Sequence, residues 1–121
     1  MIIGTGIDLI EVPRILRSIE RFGDRFLRRV FTDAEIAYCR ARASYAESFA
    51  AKEAGAKALG TGIQHGVSWK ELEVWRAPGG RPVLIFSGRA RAIAGQLGVT
   101  NVSLSLTHTA SLAMATVHLE A

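Results

Sequence analysis

Residues 44–60 read SYAESFAAKEAGAKALG, and the fold turns on what this stretch becomes. Ala, Lys, Glu and Leu are strong helix formers. Ser44-Tyr45-Ala46-Glu47 fits a capping box at the start, and Gly60 supplies a stop. Alanine falls on every side of FAAKEAGAKAL, so the helix is expected to be enclosed, with its charges held inside. Its one interior glycine, Gly55, predicts that another element packs close to the backbone there.

Working outward, Ile2 to Leu9 reads as a strand, and its near-continuous apolar run predicts burial on both faces. Val12, Ile15, Leu16, Ile19, Phe22, Phe26, Leu27 and Val30 follow a 3.6-residue period and form the apolar face of a helix. Gly23 is a candidate end for it. Thr32-Asp33-Ala34-Glu35 is another capping box, placing a helix start at Asp33. Val67–Arg76 and Arg81–Ser87 read as strands joined by the turn Ala77-Pro78-Gly79-Gly80. Ser87 caps a helix of about 88–97 that stops at Gly98. Val102, Leu104, Leu106 and His108 then alternate with Ser103, Ser105, Thr107 and Thr109, and a last strand covers Leu112 to Leu119. The expected fold is α+β, a mostly antiparallel sheet with helices packed on one side, in a single domain spanning residues 1–121.

Composition bounds the function. Of the 121 residues 49% are hydrophobic and 21% charged, which excludes wholesale disorder. No apolar run approaches the roughly 20 residues that cross a bilayer, and MIIGTGIDLI lacks the basic leader of a signal peptide. Neither a membrane partner nor export is expected. One cysteine, Cys39, excludes an internal disulfide framework and a cysteine-rich zinc site, and fits a reducing, cytoplasmic setting. It falls at a buried helical position with no activating partner implied, so it reads as inert.

The net charge of +4 has a location. Residues 14–29 hold six arginines against Glu20 and Asp24, while the other 105 residues balance nine cations with nine acids. Arg14, Arg17, Arg21, Arg25 and Arg28 fall on one stripe nearly opposite the apolar face. Such a stripe is either a solvated face or a dock for an acidic partner, since the planar guanidinium fork binds carboxylates and phosphates bidentately. A nucleic-acid module is the main rival from another class. The charge balance elsewhere, the lack of a known motif and the absence of aromatics interleaved in the stripe speak against it.

Two acids stand out. Asp8 ends an apolar strand, where a carboxylate is costly unless paired or metal-bound; its plain alternative is a strand-end turn residue. Glu53 lies mid-helix with Lys57 one turn on, and the plain reading of that pair is a surface i,i+4 contact. Together the two acids suit one Mg²⁺, which takes one or two carboxylates, keeps waters and completes its shell with phosphate oxygens. His108 is either a hydrogen-bonded strand-end residue or a site residue. The hydroxyls of Ser105, Thr107, Thr109 and Ser111 suit phosphate or ribose contacts as well as an exposed sheet face. Neither a P-loop nor a dinucleotide fingerprint is present.

Taken in order, GIDLIEVPRI, FTDAEIAYC, SFAAKEAGAKALGTG, VSWKELEV, GGRPVLIFSG and SLSLTHT resemble the holo-(acyl carrier protein) synthase family across almost the whole chain. These are the small, stand-alone 4′-phosphopantetheinyl transferases. The resemblance implies transfer of the phosphopantetheine arm of coenzyme A to a serine of apo acyl carrier protein, in fatty acid biosynthesis, by a homotrimer with sites at subunit interfaces. Asp8 and Glu53 match the family's magnesium carboxylates, and Lys57 matches a lysine facing coenzyme phosphates. Gly80-Arg81-Pro82 matches a loop near the nucleotide, and His108, with Thr109 beside it, matches the coenzyme-site histidine segment. Arg14 matches a basic residue on the carrier-binding helix, with Arg17, Arg21 and Arg25 continuing its stripe. Lys52 is a further candidate cation, and Glu53, directly or through a water, is the candidate base.

Two departures stand out. Members of that family often carry a basic residue just before FAAKEA, where this chain has Ser48, so one coenzyme contact is either missing or supplied by another arginine. The histidine segment reads SLTHT, with Thr107 keeping the hydroxyl. A related transferase acting on peptide- or polyketide-synthase carrier domains is the alternative within the same chemistry.

Overall fold

A computed structural model describes residues 1–42, 44–63 and 65–121, without the side chains of residues 40–42. The chain runs β1 (Ile2–Glu11), α1 (Val12–Phe22), α2 (Asp24–Val30), α3 (Asp33–Arg42), α4 (Tyr45–Leu59), a short 3₁₀ turn (Trp69–Glu71), β2 (Leu72–Arg76), β3 (Pro82–Phe86), α5 (Gly88–Leu97), β4 (Asn101–His108) and β5 (Leu112–Glu120). Two antiparallel sheets form, one in the order β1-β5-β4 and the other the β2–β3 hairpin. In the register Asp8 stands opposite Ala115, and Ala115 opposite Leu106. The fold is α+β.

Helix α4 is the enclosed element expected from its alanines. Ala50, Ala51, Ala54 and Ala56 are fully buried, in one core with Phe31, Leu72, Val117 and Leu119. Small side chains let its backbone sit directly on β1, where a Cβ at Gly6 would overlap the Ala54 carbonyl. On another side a Cβ at Gly55 would lie 2.7 Å from Leu84 Cδ2, so the expected close approach comes from the β2–β3 hairpin.

Several local expectations change. Strand β1 is not buried on both faces: Gly6 and Ile10 face α4, while Ile7 and Leu9 on the other side are 56% and 60% exposed. The helices cover only one face of the sheet. The long arginine helix breaks at Gly23 into α1 and α2. Ile15, Leu27 and Val30 reach the core, but Leu16 and Phe22 are turned outward. The strand expected from Val67 begins only at Leu72, because Ser68 and Glu71 form a reciprocal capping box around the 3₁₀ turn. The Thr32–Glu35 box forms, with Thr32 N–H donating to Glu35 Oε1 at 2.9 Å and Glu35 N–H to Thr32 Oγ1 at 3.2 Å. The Ser44–Glu47 box does not, since Ser44 makes no cap bond and Glu47 is drawn to His108. Ser87 likewise gives α5 no side-chain cap; Glu71 takes that role by accepting the Arg89 N–H.

Candidate active site

The lysine and glutamate that neighbour each other in FAAKEA part company in the fold. Lys52 points inward. Its Nζ donates to Glu35 Oε1 at 2.7 Å, to the Leu72 carbonyl at 2.8 Å and to the Trp69 carbonyl at 3.1 Å. Glu35 also accepts the Val74 N–H at 2.8 Å. Both side chains are sealed from solvent, at 0% and 1% exposure. Burial pushes the Lys52 ammonium below its ordinary value, opposed by Glu35. All three ammonium donors are spent, so Lys52 is not a free cation for a phosphate, as the sequence reading had it. It joins α3, α4 and β2. The capping box of Glu35 was legible in sequence, but its buried partner was not.

Glu53 points the other way, to the edge of the sheet formed by β1. There Lys57 Nζ donates to Asp8 Oδ1 at 3.2 Å and to the Ile7 carbonyl at 3.1 Å. Lys57 is 52% exposed and Asp8 16%, so this cluster is open to a ligand and the expectation that α4 holds all its charges inside fails for it. Burial lifts the Glu53 carboxyl above its ordinary range, and the nearby charge of Asp8 lifts it further, while Lys57 and Arg14 pull it back. Lys57 and Asp8 therefore pair, and Glu53 lies within electrostatic range of both and of Arg14. Two carboxylates that repel each other at an accessible edge fit a hard divalent cation. Among the described residues no set of three or more His, Cys, Asp or Glu gathers; a two-carboxylate site suits a cation that retains waters and takes phosphate oxygens.

The remaining candidates lie at the opposite edge, along β4, with β5 between. His108 Nδ1 is 3.0 Å from Glu47 Oε2 at the start of α4. The hydroxyl oxygen of Thr109 accepts the N–H groups of Ser111 and Leu112, at 3.3 and 3.1 Å, and so shapes the β4–β5 turn. Gly80 and Arg81 lie in the β2–β3 turn and Pro82 opens β3, the turn being closed by Ala77 N–H to the Arg81 carbonyl at 2.8 Å. Arg81 and Pro82 wall a cleft of about 490 Å³ with Ser103, Ser105, Thr116 and His118. Within one chain this group and the Asp8 cluster do not meet.

Arg14, Arg17, Arg21 and Arg25 are all exposed. Arg14, Arg17 and Arg21 line a shallow groove on α1 with Phe22, and Arg25 lines the adjoining one with Phe26 and Arg29. The Arg21 guanidinium lies 5.2 Å from the Phe22 ring centre. An aromatic is therefore interleaved in the stripe after all, because the break at Gly23 ends α1 just as Phe22 turns outward. Cys39 is buried as expected, its thiol pushed up by burial. Among the described residues no helix is long and apolar enough to cross a membrane.

Comparison with known proteins bears on this geometry. The chain is 54% identical to the holo-[acyl-carrier-protein] synthase of Koribacter versatilis and 55% identical to that of Solibacter usitatus, in each case over 99% of both chains. Its fold is similar to the crystal structure of the Neisseria meningitidis holo-[acyl-carrier-protein] synthase, with a TM-score of 0.88 at 32% identity over 100% of both chains. It is also similar to the Helicobacter pylori enzyme in complex with coenzyme A, with a TM-score of 0.86 at 31% identity over 96% of this chain and 99% of that one. The family model of the 4′-phosphopantetheinyl transferase superfamily matches residues 4–117, and the chain belongs to that superfamily.

Proposed function

We propose that this protein transfers the 4′-phosphopantetheine arm of coenzyme A to a serine hydroxyl of apo acyl carrier protein, with release of adenosine 3′,5′-bisphosphate. The observation that carries this reading is the Lys57–Asp8 pair at an open sheet edge, within electrostatic range of Glu53, in a chain whose full-length relatives are holo-[acyl-carrier-protein] synthases. Asp8 and Glu53 would hold Mg²⁺, which when bound supplies positive charge to the diphosphate of the coenzyme. Lys57 adds a cation at the same place and keeps Asp8 oriented. A carboxylate on a metal is a weak base, so Glu53 takes the proton of the carrier serine through a water rather than directly. Phosphoryl transfer of this kind is dominated by positioning and charge neutralisation.

Two further features support the same reading. The arginine grooves on α1 and α2 present cations beside the exposed Leu16 and Phe22, a combination that suits an acidic carrier with an apolar patch. The open sheet face carries Ile3, Ile7 and Leu9, apolar area of the kind that another copy covers. A homotrimer would bury this face and bring the β4 edge of one chain to the β1 edge of the next, completing a site at each interface. A cytoplasmic setting suits the single buried thiol.

The decisive experiment is mass spectrometry of apo acyl carrier protein incubated with this protein, coenzyme A and Mg²⁺. A gain of one phosphopantetheine, lost on adding a chelator, is expected. An unmodified carrier would overturn the reading, and labelling only of peptide- or polyketide-synthase carriers would redirect it. Arg14→Glu should raise KM for the carrier and leave KM for coenzyme A in place; an unchanged carrier KM removes the arginine stripe from the dock.

A further inference from the structure

Helix α4 has a smooth exterior. Ala46, Ala50, Ala51, Ala54, Ala56 and Ala58 are buried, and Gly4 and Gly6 of β1 lie directly against its backbone. Such contacts fix how near the helix sits to its neighbours. They resist roll and sliding poorly, because burial of apolar surface has no direction and alanines raise no ridges to lodge in a groove. Other polar contacts of α4 are long or reach the surface. Tyr45 Oη donates to the Ile36 carbonyl at 3.4 Å, and Ser48 Oγ lies 3.8 Å from Cys39 Sγ. The Glu47–His108 and Lys57–Asp8 pairs each include a side chain more than half exposed.

Lys52 is the exception. Its Nζ is held by Glu35 of α3 and by the carbonyls of Trp69 and Leu72, all within 3.1 Å, on a side chain sealed from water. Glu35 is fixed in turn by the Thr32 and Val74 N–H groups. The next residue along the helix is Glu53, turned about 100° from Lys52 and within electrostatic range of Asp8. At the rim of a helix about 10–12 Å across, a roll of about 10° displaces a side chain by about 1 Å. A functional constellation tolerates about 0.5 Å, and Mg²⁺ demands near-ideal octahedral geometry. A buried ion pair adds little net stability over apolar groups of the same size, so stability alone is a poor reason for a charged clamp at this point.

We infer that Lys52, clamped by Glu35, is a positioning residue for the reaction: it sets the roll of α4 and so holds the Glu53 carboxylate where it can share a divalent cation with Asp8. This deepens the reading given under Proposed function and rests on it for the cation.

The test uses the intact protein with Lys52→Met, and with Lys52→Met combined with Glu35→Gln, which removes the clamp without stranding a buried charge. Thermal melts and circular dichroism establish folding. Wild type in enough urea to match each variant's Tm is the control for lost stability. Electron paramagnetic resonance measures binding of Mn²⁺ alone, and kinetics give the Mg²⁺ concentration at half-maximal turnover. In the folded variants the Mn²⁺ Kd and the Mg²⁺ requirement should both rise about 10- to 100-fold, with KM for the carrier in place, while wild type of matched Tm keeps its affinity. Variants that bind Mn²⁺ as tightly as wild type overturn the inference, as does a matched wild type that weakens equally. The double variant decides where the single one does not fold, and failure of both to fold also overturns it, since the clamp is then architecture alone. The underlying reading fails separately. A wild type that binds no Mn²⁺, or binds it equally after Asp8→Ala, removes the metal site and the inference with it. Mn²⁺ binding that is lost with the clamp, in a protein that modifies no carrier, removes the transferase and leaves the positioning role.

Discussion

Lys52 and Glu53 are consecutive residues of one helix, and they belong to two different regions of the molecule. The region around Lys52 is closed: an ion pair at 2.7 Å with Glu35, two carbonyls on the remaining ammonium protons, and no solvent. The region around Glu53 is open: an ion pair at 3.2 Å between Lys57 and Asp8, a carboxyl lifted by burial and then by its neighbour's charge, and an accessible edge. Both use a lysine and carboxylates. They differ in whether every donor and acceptor is already satisfied. A satisfied buried pair fixes architecture and has nothing left for a ligand. An unsatisfied, like-charged pair at an edge is held ready for something else to complete it.

The largest effect should come from breaking the closed region. Lys52→Ala strands Glu35 and two carbonyls in the core and should cost about 3–5 kcal/mol of stability, read by denaturant unfolding. Lys52→Met combined with Glu35→Gln should recover only part of it, because Gln keeps one acceptor oxygen for either the Thr32 or the Val74 N–H and its amide nitrogen cannot accept the other. If the single variant unfolded like wild type, the closed pair would not be the architectural element described.

The open region should respond in activity instead. Asp8→Ala and Glu53→Ala should each lower turnover by about 10²–10³-fold, comparable to losing one preorganised electrostatic contact. Circular dichroism should show an intact fold, and the rise in Tm on adding Mg²⁺ should vanish. Near-normal turnover in a folded Asp8→Ala protein would remove the metal assignment.

A third substitution acts on both regions through the backbone they share. Gly6→Ala drives a methyl into the Ala54 carbonyl, so β1 and α4 must separate. A loss of about 1–3 kcal/mol is expected, with a fall in turnover as Asp8 moves from Glu53. Unchanged stability would mean that the two backbones are not pressed together there.

The smallest effect is in the pH dependence of the metal-free protein. Glu53 in the native state holds its proton to higher pH than the ordinary value of 4.5. The folded state therefore binds more protons than the unfolded one between 4.5 and the raised value, and stability falls as pH rises through that window. Glu53→Gln should flatten this slope and raise stability at neutral pH by less than about 1 kcal/mol, since the group is only half-buried and screened. A slope unchanged in the variant would assign it to another group.

Much of this was legible in the chain itself. The alanines of 44–60 encode an enclosed helix because only small side chains permit contact on all sides. Gly55 marked a close neighbour, and the Thr32–Glu35 box set the start of α3. Asp8 and Glu53 stood out as carboxylates in apolar settings, and the concentration of charge in residues 14–29 is a matter of composition. What periodicity could not show was direction. Leu16 and Phe22 fit an inward phase until Gly23 broke the helix, and Glu47 fit a capping box until His108 arrived from β4.

The sequence by itself determined the elements, the buried helix and the inventory of charged groups, since these follow from local propensity and spacing. Only the tertiary structure decided which charges are closed off and which remain open. Successive residues on a helix diverge by about 100°, and whether each meets a carbonyl, a carboxylate or solvent depends on strands that lie far away in the chain. For the same reason no local pattern revealed that the Asp8 cluster and His108 would lie at opposite edges of one sheet.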